Sequence, residues 1–496
     1  MARANTEKFA ADGPGEIVFS NASTSRQVNY AVRTGRLRAI ARGLYTSNLV
    51  QPLEAIVRQN LWRIVAGYLP GAVIVDRTAL EYLPANDGSV FLSAAAPRVI
   101  ELPGLIIRAR AGAGPVAGDS PWMGEELFMS SPARAALENL RPSRARSGAR
   151  RTLTRSELEE WLDRQASSGP GRLNEIRDAA RAIAPLIGAE RELVALDELL
   201  GAMQGTRDAP MASPLGAARK RGLPLDAARL TLFEELHAHL LAHPLPRLIT
   251  NQTHDASVFA FYEAYFSNFI EGTEFTVDEA EEIVFEGVIP SQRPVDAHDI
   301  AGTYRLVADP IERRRTPADP DAFIGLLRDQ HRAMLAERTA VDPGRFKERA
   351  NQAGSTLFVE PARVEGTLRE AHRRFYGTTE PGLARAALMM FIVSEVHPFV
   401  DGNGRLARIV LNAELSAQGQ QRIIVSVRDR DDHLQALRGL THNRHAAGYL
   451  AMLAKLQRDS WATDCSSRPA ARASLAARYA FDEEPSGPLL GDLLGR

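Results

Sequence analysis

The chain has 496 residues, 45% hydrophobic and 24% charged, so it has length for about three domains and is too apolar to be disordered or collagen-like as a whole. Lys and Arg number 60 against 61 Asp and Glu, and a net charge of −1 excludes a whole-molecule attraction to nucleic acid or to an anionic membrane. A single cysteine, Cys465, excludes an internal disulfide and a thiolate metal cluster and fits a reducing compartment, so the expected location is the cytoplasm. The longest apolar run, Ala386 to Val393, falls far short of the roughly 20 residues a spanning helix needs. The first residues carry no apolar signal region, and no membrane partner is expected.

Local charge is uneven. Between Ser20 and Tyr45 stand Arg26, Arg33, Arg36, Arg38 and Arg42 with no acidic residue. Val28 and Val32 one turn apart, Thr24 or Ser25 as a cap and Gly35 as a stop predict a short helix. Leu37 to Tyr45 alternates around Gly43 and predicts a hairpin. A basic helix followed by a basic hairpin outlines a winged helix-turn-helix, in which Arg26 and Gln27 meet base edges and the hairpin arginines meet phosphates. The same arginines also read as a solvated basic face. The segment Thr24 to Tyr45 resembles the start of the AbiEi-type antitoxins, transcriptional regulators of bacterial abortive-infection systems, and that resemblance implies DNA as a partner.

Ile56 to Leu69 and Thr78 to Tyr82 read as helices and Val90 to Ala109 as strands, a small α+β extension. Arg134, Arg141, Arg144, Arg146, Arg150, Arg151 and Arg155 lie among Ser, Pro and Gly, as either a solvated connection or a second phosphate contact. A helical region runs from Leu153 to about Met203, and Gly205 to Pro224 is the best linker. From Leu225 to about Ser460 helical periodicity dominates, with runs at Ala227–Leu241, Ser257–Phe269, Val277–Phe285, Asp321–Ala336, Leu383–Val396 and Leu406–Gln418. No strand and helix alternation supports a doubly wound nucleotide fold. The expected fold class is mainly α, with domains at 1–85, 86–210 and 211–465 and a flexible tail over 466–496.

Chemistry concentrates in His397-Pro398-Phe399-Val400-Asp401-Gly402-Asn403-Gly404-Arg405-Leu406-Ala407-Arg408, between two apolar helical runs. Gly402 and Gly404 around Asn403 let successive N–H groups converge at the start of a helix, where orphan donors and the macrodipole favour phosphate. Arg405 and Arg408 lie on one side of that helix and add guanidinium groups for a polyphosphate. Asp401 is a hard-oxygen ligand for Mg²⁺, and His397 can take a proton near neutral pH. A Walker-type Lys-Ser or Lys-Thr is absent from the loop.

These residues match in full the signature His-x-Phe-x-Asp/Glu-Gly-Asn-Gly-Arg-x-x-Arg, by which the chain resembles the Fic family. The resemblance implies an all-helical fold over the second half and transfer of AMP from ATP to a Ser, Thr or Tyr hydroxyl of a target protein. It implies His397 as base, Asp401 as the Mg²⁺ ligand and Asn403 with the Gly402 and Gly404 backbone at the α-phosphate. Arg405 would grip the β-phosphate region and Arg408 the γ-phosphate, while Phe399 packs to fix the loop.

Upstream, Ser267-Asn268-Phe269-Ile270-Glu271-Gly272 resembles the Fic inhibitory motif Ser/Thr-x-x-x-Glu-Gly/Asn, in the class whose inhibitory helix precedes the catalytic loop. Glu271 on Arg408 would take the guanidinium that the γ-phosphate needs. Ser355 to Pro361 occupies the place of the Fic flap, on which a target docks as an added strand near Leu357–Pro361. The family's run of prolines after the flap is reduced here to Pro361, and His433 stands where an aromatic Tyr is expected. His331, His442 and His445 read as structural or surface residues. A homodimer is one assembly consistent with this reading. Two alternatives stay open: a DNA-binding regulator whose Fic domain senses, and a Fic enzyme that uses another donor or removes AMP.

Overall fold

Helices dominate the computed structural model, which describes residues 16–122, 124–144, 148–169 and 171–482, and the chain is mainly α as its periodicity predicts. The chain divides into two compact units between Gly222 and Leu223.

The first unit begins with strand Ile17–Phe19, helix Ser25–Arg33 and strands Arg38–Ala41 and Leu44–Thr46, in an antiparallel sheet whose central strand is Leu44–Thr46. Helix and hairpin thus fall where the sequence places them, with Gly43 at φ +82° in the bend. One helix precedes the hairpin among the described residues. Arg26, Arg33, Arg36 and Arg42 are exposed, whereas Arg38 is half-buried and donates to the Gln51 carbonyl. The predicted helix over Ile56–Leu69 is two, Leu53–Gln59 and Leu61–Tyr68, broken at Asn60. A mixed six-stranded sheet follows, and Val90, Leu92, Leu105 and Ile107 bury one layer of it against Leu137, Leu162, Ile176 and Leu199 of the helices.

The arginine run departs from the expected exposed connection. Arg134 is fully buried and donates to the carbonyls of Ala113 and Gly114 and to Asp119 and Glu138, because a buried guanidinium must place its donors. Arg151 pairs with Asp76 at 2.7 Å, Arg155 with Glu159 at 2.9 Å, and Arg141 donates to the carbonyls of Ile187 and Gly188. Only Arg144 and Arg150 of the run are exposed, and Arg146 lies outside the described residues. The candidate linker, residues 205–224, contains the division between the two units, and part of it is packed: helix Pro214–Lys220 starts at Ser213, Arg219 pairs with Asp163, and the Ala212 and Ser213 N–H groups bond Glu159.

In the second unit helix Leu383–Val396 is apolar on every side, and twelve of its 14 residues are buried. Such a helix belongs at a domain centre. Helix Asn403–Ala417 packs against it, and helix Ala256–Phe269 brings Phe261, Tyr262 and Phe266 to a separate aromatic core. The predicted flap is a two-stranded hairpin, Gln352–Ala353 with Thr356–Leu357.

Residues 468–476, expected as flexible tail, form a helix that begins at Ser467. Arg468 and Arg472, one turn apart, pair with Glu281 and Asp278, and Phe481 packs on Tyr262, Tyr265 and Phe266 with centroids 5.2 to 6.5 Å away. Residues 483–496 lie outside the described residues. Among the described residues no helix is long and apolar enough to cross a membrane.

Candidate active site

Helix Leu383–Val396 ends at His397, whose φ of +50° turns the chain into the loop. Phe399 is fully buried and stacks on His331 with centroids 3.8 Å apart and planes within 7°. His331 Nε2 donates to the Asp401 carbonyl at 3.0 Å, so its Nδ1 accepts from Gly344 N at 2.9 Å. Burial holds this ring neutral, its pKa pulled down to about 4. His331 is therefore structural, as expected, and it sets the height of the Asp401 backbone.

Gly402, at φ +76°, caps helix Asn403–Ala417 without a side chain, which leaves the first-turn N–H groups uncapped. A Cβ at Gly402 would strike Leu335, and one at Gly404 would strike the Glu271 carboxylate. The space over Gly404 is thus an anion position, and a carboxylate occupies it.

Asn403 and Arg405, both expected at phosphate, also bond within the protein. Asn403 Oδ1 accepts from Phe399 N and its Nδ2 donates to Phe399 O, both at 2.9 Å, so this buried amide clamps the turn. Arg405 is 2% exposed and bonds Asp299 at 3.0 Å, Asn268 at 3.2 Å and Asp401 at 3.3 Å. Its charge supports the loop from behind.

Asp299, with no exposed side-chain surface, also takes Arg338 at 2.6 Å. Removing one member of a buried ion pair typically costs about 3–5 kcal/mol because the partners stay charged and dry. Asp299→Ala should therefore lower the unfolding free energy by that order, read as a lower urea midpoint, and a midpoint equal to wild type would remove Asp299 from the loop's support.

Arg408 is 7% exposed. Its Nη2 donates to Glu271 Oε1 at 2.8 Å and to the Ser267 carbonyl at 2.9 Å, and its Nε donates to Ser267 Oγ at 3.0 Å. Ser267 and Glu271 thus meet Arg408 together. Burial would raise the Glu271 carboxyl, but the Arg408 charge and hydrogen bond hold it below the usual carboxylate range. The contact is consequently present at neutral pH and lost only as pH falls through that lowered value. Buried His433 sits by Arg408, its imidazole pushed down to about 3 by burial first and by that cation second.

His397 Nδ1 lies 3.3 Å from the Ser394 carbonyl, a contact that requires the proton on Nδ1 and leaves the Nε2 lone pair free to accept. Phe358 of the flap covers the ring at 3.8 Å, within 4° of parallel. Burial carries His397 down to about 4, so it is neutral at physiological pH. Because a neutral ring is the active base, the acid limb of any His397-dependent rate should lie near pH 4 and the rate should be flat from about pH 6 to 8. Phe358→Ala, by wetting the ring, should move that limb up toward the ordinary value of about 6.5. A limb that stays in place would detach the shift from the flap.

Sequence reasoning missed the residues that hold this loop from the flap side. Lys347 N donates to Pro398 O at 2.9 Å, its Nζ to Val396 O at 3.3 Å and to Asn351 Oδ1 at 2.6 Å, and Asn351 Nδ2 donates to Phe399 O at 3.0 Å. Lys347 is 3% exposed and burial lowers its ammonium to about 8. Leu357, two-thirds exposed, and Pro361 frame the expected docking edge. Asp401, with a side chain 47% exposed, faces outward from the loop.

The loop thus sets the Glu271 carboxylate over Gly404 at the head of a buried helix, with a neutral histidine before it and two ion-paired arginines after it. The Fic/DOC family profile matches residues 324–415, which include the whole loop. A Fido domain-containing protein of Dictyostelium discoideum is 31% identical over 102 residues, covering 20% of this chain and 71% of that protein. The protein adenylyltransferase Fic of Nematostella vectensis is 25% identical over 245 residues, 47% of this chain. The chain spans 56% of that relative's length. A solved Fic domain containing signaling protein from Bacteroides thetaiotaomicron aligns at a TM-score of 0.35 and 18% identity, covering 52% of this chain and 100% of that chain. The chain belongs to the Fic/DOC family.

Proposed function

We propose that the second unit transfers AMP from ATP to a protein hydroxyl and that Glu271 holds it inactive. Relatives named protein adenylyltransferase Fic support the reaction class. The observation that carries the reading is the Glu271 carboxylate over Gly404, 2.8 Å from Arg408, which marks the place and the partner of a bound phosphate.

In the reaction the target Ser, Thr or Tyr oxygen attacks the α-phosphorus of ATP. A new O–P bond forms, the bond from that phosphorus to its bridging oxygen breaks, and pyrophosphate leaves. His397 Nε2 takes the hydroxyl proton, while its Nδ1–H keeps the ring oriented on Ser394. The first-turn N–H groups after Gly402 receive phosphate oxygens, and Arg408, once Glu271 withdraws, binds the γ-phosphate.

Asp401 is the loop's one hard-oxygen donor and is half-exposed; among the described residues no cluster of three metal-binding side chains exists. That donor set suits Mg²⁺ carried largely by phosphate and water, and when bound it neutralises phosphate charge. The target segment would add along the flap hairpin beside Leu357.

The test incubates wild type, Glu271→Gly and Glu271→Gly/His397→Asn with ATP labelled at the α- or the γ-phosphate. Label from the α-position alone, present in Glu271→Gly and absent from the double variant, is the expected result. Label from the γ-position means phosphate transfer, and no label from either directs attention to another donor or to AMP removal.

A second reading concerns the first unit. Arg26, Arg33, Arg36 and Arg42 are exposed and make no ion pair among the described residues, a pattern that favours nucleic-acid backbone contact. Arg33→Ala/Arg36→Ala should weaken duplex binding and flatten its log–log salt slope by about 2. An unchanged slope would return these arginines to solvated surface.

A further inference from the structure

A cleft of about 100 Å³ opens on the second unit, away from the catalytic loop, between the start of helix Ala256–Phe269 and the turn Glu312–Arg314. Arg313, Arg314, Arg422, His254, Thr250 and Phe259 line it, and no carboxylate does. We infer that this cleft binds a single phosphate-class anion.

Two of the three cleft arginines make no ion pair among the described residues, and the third is held in place. Arg422 spends one nitrogen on Glu263 and on the Val307 carbonyl, and its guanidinium lies 4.7 Å over the Phe259 ring, which fixes its plane. Both Glu263 oxygens accept, Oε1 from Asn412 and Oε2 from Arg422. Asp309 accepts from the N–H groups of Ile311 and Glu312, and Glu312 pairs with Arg315. Arg313 and Arg314 are therefore left without an ion pair among the described residues. Burial, then Arg422 and Arg314, push Arg313 below its ordinary value despite Glu263 and Asp309 nearby. Arg313 and Arg314, held beside the fixed Arg422, form a ready receptor for a tetrahedral oxyanion, since guanidinium donors match its oxygens in a planar fork.

Two features define the ligand class. Pockets that enclose drug-sized ligands run to roughly 300–1,000 Å³, so a cleft of about 100 Å³ matches a single phosphate group. The first-turn N–H groups of the adjacent helix already bond Asp255, so the arginines and not the helix end make the site. The inference stands whether or not the loop transfers AMP.

Isothermal titration of the full chain with inorganic phosphate tests it. Uptake that wild type shows and that substitution of Arg314 weakens reports the cleft, because Arg314 lines the cleft and not the loop. One equivalent is expected in wild type, and binding about tenfold or more weaker in Arg314→Glu, whose exposed side chain spares the fold. Arg313→Lys, which keeps the charge but loses the fork, should bind with intermediate affinity. No uptake by wild type at millimolar phosphate, or uptake by Arg314→Glu equal to wild type, overturns the inference.

Discussion

Glu271→Gly is expected to transfer label about 10- to 100-fold faster than wild type at limiting ATP. The estimate comes from one regained charge-assisted contact: hydrogen bonds to charged groups contribute about 1.5–3 kcal/mol, and each 1.4 kcal/mol is tenfold in rate. The substitution also vacates the space above Gly404, where the carboxylate now lies. A structural cost accompanies the gain. Arg408 keeps Ser267 as a partner but loses its counter-charge in a nearly dry site, so the variant should melt below wild type. MgATP should then raise the melting temperature of Glu271→Gly more than that of wild type, since only ligand that binds the folded state stabilises it by mass action. Equal rates and equal ATP-induced shifts in the two proteins would show that Glu271 is no brake.

His397→Asn in the Glu271→Gly background should lose about 10²- to 10⁴-fold in rate, the usual contribution of a positioned general base. Asparagine is the informative replacement because residue 397 has φ +50°, a left-handed conformation that Asn tolerates and that costs most other residues about 1–2 kcal/mol. Retained thermal stability together with lost transfer assigns the loss to proton removal. Retained transfer would remove His397 from the mechanism. Phosphate binding at the loop should survive, since His397 contributes a base and no anion contact.

The loop and its flanking helices were legible in the sequence because their determinants are local. Apolar residues on all sides of Leu383–Val396 fix a buried helix, and glycines at 402 and 404 fix the turn after it. Ser267, Glu271 and Arg408 were paired by motif and charge logic, and they meet as read. Partners supplied by tertiary packing were not legible: Asp299 lies 106 residues from Arg405, and nothing in their spacing pairs them. The turn-closing bonds of Asn403 to the Phe399 backbone were not legible from its place between glycines, although a short amide in a tight turn readily satisfies its own backbone. The helix at Arg468–Ala476 was read as tail from its Arg, Ala and Pro content. Ser467 followed by proline and arginines four apart is a helix start with one charged face, and that signal was present.

The contact of Phe481 with the aromatic face of helix Ala256–Phe269 has a consequence for the order of synthesis. The catalytic loop ends at Arg408, whereas the residue that closes the wall behind the Glu271 helix is made roughly 70 positions later. At about 5–20 residues per second the interval is several seconds. A nascent chain therefore holds its loop and Glu271 before the last support of that helix, and a polypeptide cut between these points would keep both without the Phe481 packing.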